Sequence, residues 1–283
     1  MSDLFITGIL PKSHFRFTLI DCSEICSHLD RIHDLDFRMS NFLSKTMMGA
    51  FFLARMVKED QRISIQWKDE FKHSVLAYSN HIGIMKGVAY PGEFAKGDIR
   101  NEFILGSGIL KVIRWSPDAD PYQSFTTLVE DTLETNLIKY INDSEQQLTM
   151  IYMDTQSISF GKIAAKGLFL QALPEATDAD RFKIQGFADA NLNREIMSNK
   201  TIEEICNELP AIFQEEVRVL DKDKPHLICD CSRMKISQVL VSLGEQEVRA
   251  ILTEQGKIEV ECEFCKSLYN FKDEDVVKLF PKE

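Results

Sequence analysis

The sequence predicts an α+β protein that ends in a small four-cysteine zinc-binding domain, and three observations carry that expectation. Apolar residues alternate over short runs such as Phe15, Phe17 and Leu19, or Ile63, Ile65 and Trp67, the period of half-buried strands. Phe42, Leu43, Met47 and Phe51 instead fall near helical spacing. Far downstream, Cys229-Asp230-Cys231 and Cys262-Glu263-Phe264-Cys265 flank thirty residues, and two thiolate pairs have the count and softness of a tetrahedral zinc site.

Composition narrows the function classes. A chain of 283 residues with 44% hydrophobic and 27% charged content is that of a globular protein, long enough for one sizeable domain and a smaller one. Net charge is −11, which argues against nucleic acid or an anionic membrane as the main partner. The start, Met1-Ser2-Asp3, lacks a basic region, and the apolar stretch after it is broken by Pro11, Lys12 and His14, so no secretory signal is expected. The apolar run from Met47 to Val57 contains Arg55 and is too short to span a bilayer. A cytoplasmic location follows as an expectation, and there seven cysteines are thiols and metal ligands rather than standing disulfides.

Residues 1–175 are expected to form the main domain. After the strand at Phe15–Leu19, Asp21 is placed to cap a short helix carrying Cys22 and Cys26, which are four apart and so share a face. We read them as buried thiols, with a second redox pair as the alternative. A long helix is expected from Ser40. Strands follow over 62–88, around Asn80, Gly83 and Gly87, then over 147–153 and 167–173, up to Pro174. Gly106-Ser107-Gly108 lacks the lysine of a phosphate-binding loop and reads as a turn. No nucleophile elbow is present, and His14, His28, His33, His73 and His81 sit in no catalytic motif, so no enzyme activity is expected.

Residues 176–228 change character: Asp, Glu, Asn and Lys dominate, with Phe182, Ile184, Phe187, Leu192 and Ile196 thinly spaced. Thr201 and Glu204 make a capping-box pattern, and Ile202, Ile205, Cys206 and Leu209 give one apolar helical face before Pro210, which should end the helix. So short a helix needs a neighbour to lie on. A structured connector is the plain reading.

Residues 229–283 form the zinc module. Ser232 caps a helix through Leu243 with Gly244 as its stop, a second helix runs from Glu245 to Glu254, and a hairpin carries Cys262 and Cys265 at its tip, with Leu268, Tyr269 and Phe271 on the return strand. At 55 residues the module buries little surface, so metal-binding energy is folding energy here. His226 and Cys206 are the other candidates for a ligand, though four cysteines suffice. The module's net charge of −3 disfavours a nucleic-acid-binding ribbon.

The segment from Cys229-Asp230-Cys231-Ser232-Arg233 through Ser242-Leu243-Gly244 to the aromatic run after Cys265 closely resembles the C-terminal domain of the redox-regulated heat-shock chaperones of 33 kDa, the 33-kDa chaperonin family. Pro121-Tyr122-Gln123-Ser124 and Ser144-Glu145-Gln146 echo it upstream. The family's glycine-rich turn is absent, and Trp67-Lys68-Asp69-Glu70-Phe71 stands there instead. The resemblance implies an N-terminal antiparallel sheet core with packed helices, a mostly helical metastable linker over 176–228, and one zinc per reduced chain on Cys229, Cys231, Cys262 and Cys265. It further implies that hypochlorous acid, or peroxide with unfolding conditions, forms the disulfides Cys229–Cys231 and Cys262–Cys265, releases zinc and unfolds the linker. The implied product is an ATP-independent holdase that binds unfolded client proteins, forms a homodimer when oxidised and hands clients to ATP-dependent foldases. The rival readings are a constitutive scaffold with structural zinc and a zinc-ribbon nucleic-acid binder.

Overall fold

The computed structural model describes residues 3–58, 60–92, 107–128, 132–145, 147–191 and 199–280. They form two compact units, Met1–Leu227 and Ile228–Glu283.

In the first unit β1 (Leu4–Leu10) and β2 (Phe15–Asp21) make an antiparallel hairpin with Phe5 opposite Ile20 and Thr7 opposite Thr18. Strand β1 is almost entirely buried, so its sequence runs apolar without the alternation that marks a half-exposed strand. Helix α1 (Ser23–His33) follows. Asp21 bonds only the amide and hydroxyl of Ser23, whereas the first-turn amides of Glu24 and Ile25 donate to the carboxylate of Asp3 at 2.7 and 2.9 Å. The cap is thus supplied mainly from the start of β1. Burial outweighs those two bonds and lifts the Asp3 carboxyl to about 6.

Helix α2 (Phe37–Met56) begins three residues before the expected Ser40, because Asp36 caps it by accepting from the amides of Arg38 and Met39. Fifteen of its twenty residues are buried, as befits a helix with sheets on two sides. One is a five-stranded antiparallel sheet in the order β10-β1-β2-β9-β8, and the other a six-stranded sheet in the order β11-β5-β4-β3-β6-β7. The first is completed by β8 (Thr149–Ser159), β9 (Lys162–Ala172) and β10 (Arg218–Asp223). The second comprises β3 (Arg62–Asp69), β4 (Ser74–Asn80), β5 (Ile84–Tyr90), β6 (Gly108–Ser116), β7 (Ala119–Leu128) and β11 (His226–Leu227). Glycines permit the close approach of α2 to each sheet: a Cβ on Gly167 of β9 would stand 2.9 Å from the Phe52 ring, and one on Gly87 of β5 would stand 2.5 Å from the Met47 sulfur. Helix α3 (Leu133–Glu145) adds Leu133, Leu137 and Ile141 to the same core.

The turn at 69–73 needs no glycine. The Asp69 carboxylate accepts from the His73 amide at 2.9 Å and lies 2.7 Å from its Nδ1, while Lys72 takes the left-handed conformation at φ 66°. Strands β8 and β9 extend well past the expected 147–153 and 167–173 and meet in a tight turn at Gly161, φ 71°. Gly106 lies outside the described residues, and Ser107 and Gly108 lead directly into β6.

The segment 176–227 folds onto this unit as α4 (Asp178–Asn191), α5 (Ile202–Phe213) and the strands β10 and β11. Helix α5 carries the Thr201–Glu204 capping box and passes through Pro210 to Phe213. Proline leaves only the Cys206 carbonyl without its helical donor, and buried Leu209 and Phe213 hold the last turn in place. Leu192 and Ile196 lie outside the described residues.

The second unit consists of α6 (Arg233–Leu243), α7 (Glu245–Gln255), the hairpin β12 (Ile258–Glu261) with β13 (Leu268–Phe271), and α8 (Asp273–Leu279). Ser232 caps α6 by accepting from the Lys235 amide, and Gly244 ends it at φ 93°. Its buried apolar cluster is only Leu240, Val248, Ile258, Phe271 and Val276. Among the described residues no helix is long and apolar enough to cross a membrane.

The Asp3 carboxyl should titrate near pH 6, some two units above exposed aspartates, in a carbon-detected NMR titration of the folded chain. The folded state holds that proton more tightly than the unfolded one. Its contribution to stability is therefore complete below about pH 4 and lost as pH rises through about 6.

Candidate metal centre and the seat of the linker

Two short elements present the cysteines. Cys229 and Cys231 lie in the extended segment that Ser232 turns into α6, and Cys262 and Cys265 form the tip between β12 and β13. At that tip the Cys262 amide donates to the Ser267 carbonyl and the Lys266 amide to the Cys262 carbonyl, with Lys266 left-handed at φ 58°. The four Sγ atoms all lie within 4.8 Å of one another. Between the clusters, the Cys229 and Cys262 sulfurs are 3.7 Å apart and those of Cys231 and Cys265 3.4 Å. A tetrahedron with metal–sulfur bonds of about 2.3 Å has edges of about 3.8 Å, so this donor set fits a four-thiolate metal site.

Neighbouring groups tune the sulfurs. Burial pushes the Cys229 and Cys231 thiols up. Burial acts the same way on Cys265, but the Ser267 hydroxyl and amide outweigh it and hold that thiol down at about 7. The Tyr269 hydroxyl donates to the Cys231 sulfur at 3.1 Å, and that bond lifts the phenol to about 12. Tyr269 had read as an apolar residue of the return strand, and nothing in the one-dimensional pattern marks its hydroxyl as a bond to sulfur. Such partners orient ligands and set metal affinity.

The remaining candidates lie elsewhere. His226 belongs to β11, opposite Ile84 of β5, and Cys206 is buried in α5; among the described residues neither joins a metal-binding cluster. Cys22 and Cys26 are fully buried with their sulfurs 3.7 Å apart.

A second feature concerns the five-stranded sheet, which is apolar on both faces. Phe5, Ile20, Ile151 and Phe169 point to α1 and α2, while their neighbours Ile6, Leu19, Met150, Leu168 and Leu170 join Phe15 and Phe17 in a separate core. That second core is closed by the linker, through Ile184 and Ala188 of α4 and Ile202, Ile205, Leu209 and Phe213 of α5. Two carboxylates also tie the linker down. Buried Glu215 accepts from the amides of Lys12 and Ser13 at 2.9 and 3.2 Å and from the Ser13 hydroxyl. Asp221 of β10 meets the buried guanidinium of Arg55 at 2.8 Å, which in turn reaches Thr7 and the His81 carbonyl and lies over the Phe5 ring. Sequence reasoning missed both anchors, since their partners are more than 160 residues away.

Comparison with known proteins agrees with this arrangement. The 33 kDa chaperonin of Listeria welshimeri is 29% identical over 99% of both chains, and that of Shewanella loihica is 31% identical over 98% of this chain and 96% of its own. The crystal structure of the 33 kDa chaperonin from Thermotoga maritima superposes with a TM-score of 0.86 over 98% of this chain and 97% of its own, at 22% identity. The Hsp33 protein family profile matches residues 3–272. With that match over nearly its whole length, the chain belongs to the Hsp33 family.

Proposed function

We propose that this protein is a cytoplasmic, redox-regulated chaperone and not an enzyme: an ATP-independent holdase, silent when reduced and switched on by oxidation. Family membership and relatives named 33 kDa chaperonin support a chaperone. The observation that carries the regulated reading is that four convergent sulfurs begin two residues past β11, the last strand of the linker, and that this linker covers one apolar face of the five-stranded sheet. In this reading 1–175 is the core domain, 176–228 the linker and 229–283 the switch.

Zinc, when bound to Cys229, Cys231, Cys262 and Cys265, would keep the thiolates deprotonated and cross-link the two clusters. Oxidation then joins Cys229 to Cys231 and Cys262 to Cys265, each bond surrendering two electrons to an oxidant such as hypochlorous acid, which leaves as chloride and water. No thiolate remains to hold the ion. All four thiols are free, with their sulfurs spread within 4.8 Å of one another, so pairing at the bond length of about 2.05 Å requires side-chain rotation as the metal departs. Local disulfides close very small rings and constrain the unfolded chain little. A module with five buried apolar side chains then melts, the linker loses its C-terminal tether, and Phe15, Phe17, Leu19, Leu168 and Leu170 become open to unfolded clients. Dimerisation of the oxidised chain and hand-over to ATP-dependent foldases complete the proposal.

Three outcomes test it. The reduced chain should carry one zinc, and hypochlorous acid should release it with loss of four thiols and gain the ability to keep a denatured client soluble. Retained metal or absent activity would indicate a scaffold, and salt-sensitive RNA binding by the reduced form a nucleic-acid ribbon. Tyr269→Phe should weaken zinc binding about tenfold in chelator competition, since it removes the donor to Cys231. Glu215→Gln and Asp221→Asn each weaken charge-assisted bonds worth about 1.5–3 kcal/mol, so both should lower the oxidant dose needed for half-maximal client protection.

A further inference from the structure

Six of the seven cysteines lie in pairs or clusters, and the proposed switch uses four. Cys22 and Cys26 remain, side by side in the core of the first unit. Their sulfurs are 3.7 Å apart, and the Cys22 sulfur lies 3.8 Å from the Ala165 carbonyl of β9. Exposure is 0% for Cys22 and 3% for Cys26. Cys22 is not itself helical: at φ −123° and ψ 32° it is the residue before α1, where a turn can change shape without breaking a helix interior. That turn is capped by the carboxylate of Asp3, which takes the amides of Glu24 and Ile25, and is tied to β9 by the Cys22 amide on the Ala165 carbonyl and the Ala165 amide on the Ser23 hydroxyl. The seal over the pair is therefore local, one helix turn, and opening it costs less than global unfolding.

We propose that Cys22 and Cys26 form a second redox site, a sealed dithiol that hypohalous acids convert to an intramolecular disulfide when the first turn of α1 opens. One sulfur attacks the chlorine of hypochlorous acid, giving a sulfenyl chloride and water. The other sulfur displaces chloride, forms the S–S bond and releases a proton. The two thiols lose two electrons, and the chlorine leaves as chloride.

Closed, the pair resists this chemistry. The hydrogen bond to Cys26 and burial push the Cys22 thiol well above its ordinary range, and the thiolate is the reactive form. Open, each sulfur has the other as its nearest trapping group, so disulfide outruns further oxidation to sulfinic acid. The site thus registers oxidant only together with loosening of the core. It acts on the core unit itself and does not depend on the zinc reading.

The test uses the full-length, zinc-loaded, reduced chain. After treatment with hypochlorous acid the protein is alkylated in denaturant and cleaved with trypsin, which places both cysteines on the peptide 17–31. Expected is a peptide two hydrogens lighter that cannot be alkylated until reduced, forming slowly in the wild type below the unfolding temperature and faster as that temperature is approached. Asp3→Ala, which leaves the two amides of α1 uncapped, should accelerate it about tenfold. If Asp3→Ala fails to fold, the temperature course of the wild type decides alone. Recovery of two alkylated thiols or two separate sulfonic acids after core loosening overturns the proposal, as does a rate insensitive to both temperature and Asp3. The readout is confined to residues 17–31, so it stands apart from whether zinc is lost or clients are bound.

Discussion

A sheet that is apolar on both faces has to be covered on both, and in this protein the two covers are unequal. On one side the five-stranded sheet meets α1 and α2, the latter buried around its whole circumference between two sheets. On the other it meets α4 and α5, helices that bury one seam and expose the rest, with Phe182 left 79% in solvent. Burying Leu209, Phe213 and Ile205 against the sheet stabilises each side chain by about 1.5–3 kcal/mol, which seats this segment on the sheet. In the proposed function it is this thinner cover that lifts, from a sheet face made of Phe15, Phe17, Leu19, Leu168 and Leu170.

Polar anchors hold that cover down. Glu215 places a buried carboxylate on backbone and hydroxyl donors of Lys12 and Ser13, and the half-exposed carboxylate of Asp221 meets the buried guanidinium of Arg55. Breaking such a pair strands a charge in an apolar setting, which makes release steep rather than gradual. Beyond β11 the chain enters a unit whose buried apolar cluster, among the described residues, is the five side chains of Leu240, Val248, Ile258, Phe271 and Val276. In the proposed function, regulation by oxidation rests on where the thiolates are, the first of them two residues past the end of β11.

Much of this was legible in the sequence, and the exceptions share a cause. The cysteine spacing, the Ser232 and Thr201 caps and the glycine stop at 244 are local signals, and each reports on the few residues around it. Strand β1 escaped notice because burial on both faces erases alternation. Pro210 was read as a stop because the rule counts a lost bond and ignores the buried Leu209 and Phe213 that outweigh it. Asp69 and His73 build without glycine the turn between β3 and β4, through side-chain bonds that periodicity does not reveal. Strand β10 pairs through its backbone and leaves Val219 and Leu220 about half exposed, so its side chains carry little pattern. The Asp3 cap, the Glu215 and Asp221 anchors and the Tyr269 hydroxyl on Cys231 are long-range or chemical contacts that no periodicity encodes.

Amide hydrogen exchange over 178–223, compared between the reduced and oxidised chain, bears most directly on whether the linker is the moving part. The account predicts that α4, α5 and β10 are protected when reduced and lose protection on oxidation, in step with client binding and ahead of α2. Client binding gained while residues 202–213 stay protected would contradict it.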